Sequence, residues 1–263
     1  MSGEQEPAWD VLGAAGGVRL RGLGTGTPLV VLPGMEGDGT SCVHVVRRVW
    51  GDLQRRGPVR LVLVDYAEEQ HADLAALEAT IADLLRRVVD EPAVVWGQSF
   101  GCLLAASAAR AIAAERLVLV SPFTSLPTSR DVAAGLLAHI PRPLYRATAT
   151  PVCRWVFGPA RGQEGAAFLA TLRAADPGDV ARRAGWLRGH DHRSHFDGLL
   201  GGHAAVWFGV RDRLIDLPAQ LEVFTELMTG ERSPELVPYA GHVVLPAASV
   251  DFLCARATSW LSA

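Results

Sequence analysis

The stretch PAVVWGQSFGCLLAASAAR, residues 92–110, decides how the rest of the chain is read. Ala93–Trp96 is an apolar run of strand length, and the alanine-rich run after Gly101 has the composition of a helix. Between them stands Gly97-Gln98-Ser99-Phe100-Gly101, a G-x-S-x-G pentapeptide. A serine on a sharp strand-to-helix turn holds its hydroxyl clear of the sheet edge. Glycines at 97 and 101 let the neighbouring strand and helix come close. The helix that follows aims its free N–H groups and positive dipole end at the same place. A serine that only capped the helix would use its hydroxyl locally. The strand before it and the helix after it favour an exposed nucleophile instead.

Further apolar runs have the same strand character: Val59–Val64, Arg116–Ser121, residues 204–210 and residues 235–240. Such runs suit strands covered on both faces. Helical periodicity lies between them at about 39–56, at 72–89, from about 99, and at about 247–262. Strands alternating with helices predict a mostly parallel sheet with helices on both sides, an α/β fold. Val18–Arg21 and Leu29–Leu32, joined by a glycine-rich turn, read as a hairpin. Gly22, Gly24 and Gly26 precede a strand instead of opening a helix, so they do not read as a dinucleotide-binding loop. Residues 1–15 are polar or glycine-rich and are expected to fray.

Between Pro122 and His203 the alternation stops. The segment has no strand-like run, several prolines, and helical patches near 131–139, 142–157, 163–174 and 177–188. It reads as a helical cap, 122–203, inserted into a core made of 16–121 and 204–263.

A serine hydroxyl is a weak nucleophile near neutral pH and needs a base. His242, in PYAGHVVLP, follows the last strand and is the candidate. Asp212, in WFGVRDRLID, follows the strand 204–210 and would orient the imidazole. Asp216, just beyond it, and Asp65, at the end of another strand, are the alternatives. The chain order Ser99, Asp212, His242 fits an acyl-transfer site of this architecture.

Composition narrows the field. The net charge of −3 and pI near 6.2 argue against a nucleic-acid partner. All 25 basic residues are arginine, which excludes lysine Schiff bases, pyridoxal phosphate anchoring and a P-loop lysine. Cys42, Cys102, Cys153 and Cys254 are scattered without metal-ligand spacing and read as reduced thiols. The cluster HDHRSHFD, 190–197, matches no common zinc spacing and reads as a solvated polar loop. Trp155, Phe157, Phe168 and Trp186 read as the cap's own core. Neither a metal nor a cofactor is expected. The N-terminus lacks the features of a signal peptide, and no run reaches bilayer length, so a soluble cytoplasmic protein is expected.

The motifs together resemble the α/β-hydrolase superfamily across nearly the whole chain. The resemblance rests on GQSFG, on GVRDRLI, on the Gly241-His242 pair before the last helix, and on VVLPGMEGDGT after the strand 29–32. Many relatives carry His-Gly where this chain has Pro33-Gly34. The resemblance implies that the backbone N–H groups of Met35 and Phe100 form an oxyanion hole. It also implies a carboxylesterase or thioesterase working through an acyl-enzyme on Ser99. The aspartate-dependent dehalogenase and epoxide hydrolase branches are disfavoured. Acyl transfer to an alcohol, a cofactor-free haloperoxidase or lyase reaction, and a non-catalytic binding role use the same framework. The cap carries ten arginines against six acidic residues. That imbalance raises a second expectation: Arg142, Arg146 and Arg154 docking an acidic acyl carrier protein.

Overall fold

The computed structural model describes residues 9–127, 141–156, 162–230, 232–244 and 247–262. Eight strands form its sheet: β1 (Asp10–Ala15), β2 (Val18–Leu23), β3 (Thr27–Leu32), β4 (Val59–Asp65), β5 (Val94–Gln98), β6 (Arg116–Val120), β7 (Ala204–Gly209) and β8 (Glu235–Val237). Their spatial order is β1-β2-β4-β3-β5-β6-β7-β8. The pairs β1/β2 and β2/β4 are antiparallel, and every pair from β4 to β8 is parallel.

The central strands are apolar on both faces because helices cover both. On one side Val30, Leu32, Val95, Leu117, Leu119, Val206 and Phe208 pack beneath α2 (Leu74–Val88), α3 (Gly101–Ala111) and α7 (Leu217–Leu227). On the other, Leu29, Val31, Trp96, Val118, Val120 and Trp207 meet α1 (Val43–Gln54) and α8 (Ala247–Leu261). Side chains alternate between the two layers with the period of two that a strand imposes.

From β3 the chain steps to β4 on one side, and from β5 it steps through β6, β7 and β8 on the other. Strand order therefore reverses between β3 and β5, the place where open α/β sheets bind ligands. These two strands are direct neighbours, with Leu32 opposite Gly97. Between β6 and β7 the described residues hold three helices, α4 (Arg142–Val156), α5 (Gly162–Ala174) and α6 (Pro177–Leu187), and a short 3-10 turn, Arg193–His195. α6 starts with Pro177 behind Asp176, whose side chain accepts from the amide of Gly178. The helical patch expected at 131–139 lies outside the described residues.

Two sequence expectations need correction. Residues 18–21 and 29–32 do not form a hairpin: β2 lies between β1 and β4, and β4 separates it from β3. The turn at Gly24 and Gly26 is real, but it leads across a strand gap instead of into antiparallel pairing. The true hairpin is β1/β2, closed at Gly16-Gly17. Residues 10–15, expected to fray, therefore form the edge strand.

Candidate active site

Ser99 sits directly after β5 with a φ of 55°, in the left-handed region that side chains other than glycine rarely adopt. Its amide donates to the carbonyl of Val120 on β6 at 2.9 Å, which anchors the turn to the sheet. Such a conformation costs on the order of 1–3 kcal/mol and persists only where its surroundings enforce it. The flanking glycines supply that enforcement. A Cβ on Gly101 would lie 2.0 Å from the carbonyl oxygen of Pro33, and one on Gly97 would lie 2.7 Å from the Cβ of Ala105. The turn is thus wedged between α3 and the end of β3.

The loop after β7 carries Asp212, and the loop after β8 carries His242. The Nδ1 of His242 lies 2.7 Å from Oδ2 of Asp212, and its Nε2 lies 2.7 Å from the hydroxyl oxygen of Ser99. A carboxylate only accepts, so Nδ1–H donates to Asp212, and Nε2 is left to accept the Ser99 proton. The other oxygen of Asp212 accepts from the amides of Leu214 at 2.8 Å and Ile215 at 3.3 Å. Those bonds fix the carboxylate before the imidazole reaches it. The side chains of His242 and Asp212 are buried, at 1% and 0% exposure. Ser99, Asp212 and His242, distant in sequence, thus meet at one sheet edge.

The loop after β3 is shaped by side chains from far away. The Tyr66 hydroxyl donates to both the Pro33 carbonyl, at 2.6 Å, and the Gly34 carbonyl, at 2.7 Å. Burial, then the nearby Glu36 carboxylate, push the Tyr66 phenol well above its ordinary range, so it remains a donor. The Gly34 amide donates to Glu36 at 3.2 Å, and the Gly37 amide to the Gly34 carbonyl at 3.0 Å. The amides of Met35, on this loop, and of Phe100, next to Ser99 in the chain, make no hydrogen bond among the described residues.

The segment after β6 packs against neighbours of the site residues. Phe168 of α5 packs on Val243, the residue after His242. Trp186 of α6 lies 6.5 Å from the ring of Phe100. Both aromatics thus make contacts outside their own segment, beside His242 and Ser99 in the chain. The side chain of Trp155, and all of Phe157, lie outside the described residues.

The remaining candidates fall elsewhere. Asp65 forms a two-pronged pair with Arg21 and accepts from the Gly39 amide, so it is occupied structurally. Asp216 caps α7 through the Ala219 amide. Arg142 pairs with Asp176 at 3.2 Å, and Arg146 donates to the Arg173 carbonyl at 3.3 Å. The side chain of Arg154 lies outside the described residues. The cluster at 190–197 is not a simple solvated loop. His192 and Phe196 are buried, and the rings of His192 and His195 stand edge to face at 5.2 Å. No group of three metal-ligating side chains is found among the described residues, and no described helix is long and apolar enough to cross a membrane.

No family model and no curated protein matches the chain. Solved structures do. An esterase from Exiguobacterium antarcticum superimposes with a TM-score of 0.75 at 15% identity, over 94% of this chain and 96% of its own. A thermophilic esterase from Thermogutta terrifontis gives 0.73 at 18%, covering 98% of each chain. The enol-lactonase from Burkholderia xenovorans LB400 gives 0.71 at 18%, over 97% of this chain and all of its own. At such identities the likeness is one of fold, and the chain has the α/β-hydrolase fold.

Proposed function

We propose that this α/β-hydrolase fold acts as a serine hydrolase that cleaves carboxylic ester or thioester bonds through an acyl-enzyme on Ser99. One observation carries the reading. A strained serine, an imidazole and a buried carboxylate form an unbroken chain of two 2.7 Å contacts. The solved structures of similar fold include esterases and an enol-lactonase, which supports the same class of reaction.

The steps follow from the geometry. Ser99 Oγ attacks the acyl carbon while its proton passes to Nε2 of His242. The carbonyl oxygen becomes an oxyanion facing the Met35 and Phe100 amides, each such donor being worth about 3–4 kcal/mol to the transition state. Asp212 stays ionised and stabilises the imidazolium. Collapse expels the alcohol or thiol, which takes the proton from His242. Water then repeats the sequence: His242 removes its proton, hydroxide adds to the acyl carbon, and the acid leaves as Ser99 recovers its hydrogen.

A small acyl donor is preferred here to an acidic acyl carrier protein because the Arg142 charge is already met by Asp176, whereas Arg146 donates to the Arg173 carbonyl, which leaves its charge in place. A fluorophosphonate probe tests the core reading. Wild-type protein takes up one label at Ser99, and Ser99→Ala takes up none. Folded wild-type protein that stays unlabelled, and turns over neither nitrophenyl esters nor acyl thioesters, defeats it.

A further inference from the structure

We propose that Arg183, on α6 of the cap segment, is a positioning residue that holds the amide of Met35 at the site of oxyanion formation. The inference rests on Ser99 as nucleophile and Met35 as an oxyanion donor.

Arg183 is 1% exposed, yet its guanidinium does not end in a single ion pair. Nη1 donates to the Met35 carbonyl at 2.8 Å. Nη2 donates to the carbonyls of Tyr66 at 2.7 Å and Ala67 at 3.1 Å. Nε donates to Glu69 at 3.1 Å, and the guanidinium lies 5.4 Å over the Tyr66 ring. Glu69 is held in turn by the His71 amide at 2.7 Å and by Arg182 at 2.7 Å. Burial alone would raise the Glu69 pKa. The His71 amide and the guanidiniums of Arg183 and Arg182 outweigh burial and hold it below the usual carboxylate range.

These contacts fix both peptide planes that flank Met35. In a trans peptide the carbonyl and the following N–H point in opposite directions. Tyr66 grips the Gly34 carbonyl, so the Met35 N–H is aimed the other way, as the trans geometry requires. Arg183 grips the Met35 carbonyl, which belongs to the next plane, and braces Tyr66 through ring and backbone. Together they leave Met35 little rotation about its own Cα. The planar, multi-pronged guanidinium suits this task, and a lysine ammonium could not reach all these acceptors at once. Arg182 provides the contrast. It shares Glu69 but bonds to His71, Asp179 and the Glu69 carbonyl, and among the described residues it makes no hydrogen bond to the loop after β3.

The test compares Arg183→Lys, Arg183→Gln and Arg182→Gln with wild type on a nitrophenyl ester, per active site titrated with fluorophosphonate. Misplacing one donor by about 1 Å predicts a kcat loss of about 10- to 100-fold in both Arg183 variants. KM should stay within about threefold, the pattern of an interaction made mainly in the transition state. Affinity for a trifluoromethyl ketone, whose hemiketal oxyanion needs the same amides, should fall in step with kcat. Arg182→Gln should lower the melting temperature and leave kcat per site unchanged. Should Arg183→Gln not fold, Arg183→Lys, which keeps a charge opposite Glu69, decides alone. Wild-type kcat per site and wild-type ketone affinity in folded Arg183→Lys overturn the proposal. An unlabelled wild-type Ser99 instead defeats the hydrolase reading beneath it, so the two failures are distinct.

Discussion

Ser99 and Met35 follow adjacent strands, β5 and β3, yet the two turns are built in different ways. The turn at Ser99 is shaped mainly by its own pentapeptide: Gly97 and Gly101 admit close contacts, the helix begins at once, and one longer bond runs from the Ser99 amide to Val120. The loop at Met35 adds long-range anchors to its own short bonds, Gly34 to Glu36 and Gly37 to Gly34. Its carbonyls are held by Tyr66 and Arg183, which lie about 30 and 150 positions further along the chain. A local device depends on a single pentapeptide. A distributed one spreads the task over several elements, and its parts should fail singly and more mildly.

The largest expected effect is on the local side. Ser99→Ala should leave a folded protein whose kcat on a nitrophenyl ester is lower by about 10⁴-fold or more, since the nucleophile has no substitute. A residual rate above one-hundredth of wild type would mean that the hydroxyl is not the attacking group. Gly101→Ala comes next. Its methyl would sit 2.0 Å from the Pro33 oxygen, a backbone atom that cannot swing aside. Overpacking of this severity should cost at least about 3 kcal/mol, read as a lower urea midpoint. A variant of unchanged stability would show that β3 and α3 separate easily.

The pentapeptide was legible because its requirements are local: a short apolar run, two glycines and a helix. Asp212 and His242 were legible because each follows a recognisable strand. The loop after β3 was legible only as to place. Nothing in the spacing of Tyr66, Glu69 and Arg183 announces their meeting, since periodicity describes a residue's own element and not what it touches. An arginine at 183, in a run also containing Arg182, reads as a solvated helix face; burial at 1% exposure separates the two. β1 was missed because DVLGAA lacks clear alternation, and an edge strand needs little. At 190–197 the polar letters concealed two residues, His192 and Phe196, that pack inward.

On the distributed side, Tyr66→Phe frees the Pro33 and Gly34 carbonyls while keeping the ring beneath Arg183. A kcat loss of about 10-fold with KM unchanged is expected, because the loop retains its other anchors. A loss as large as that of Ser99→Ala would show the loop to be as indivisible as the elbow.

The last effect lies outside both turns. Burial first, then the neighbouring His195 and His190, lower the His192 pKa to about 4 from 6.5. The unfolded chain takes up a proton that the folded imidazole refuses, so stability is full above about pH 6.5 and declines as pH falls toward 4. Glu69, also lowered, adds to the decline at the acid end. Urea midpoints measured across this range should fall by the equivalent of about 1–3 kcal/mol. His192→Gln should flatten the upper part of the curve, and an unchanged slope would remove His192 as its source.

The buried carboxylate of Glu69 has a consequence for redesign. One buried carboxylate is shared by Arg182 and Arg183, neighbours on α6. Replacing the segment that carries α6, or trimming it away, would strand that anion in a dry interior. Removal of one member of such a set typically costs about 3–5 kcal/mol. Any exchange of that segment therefore has to treat positions 69, 182 and 183 as one heritable unit.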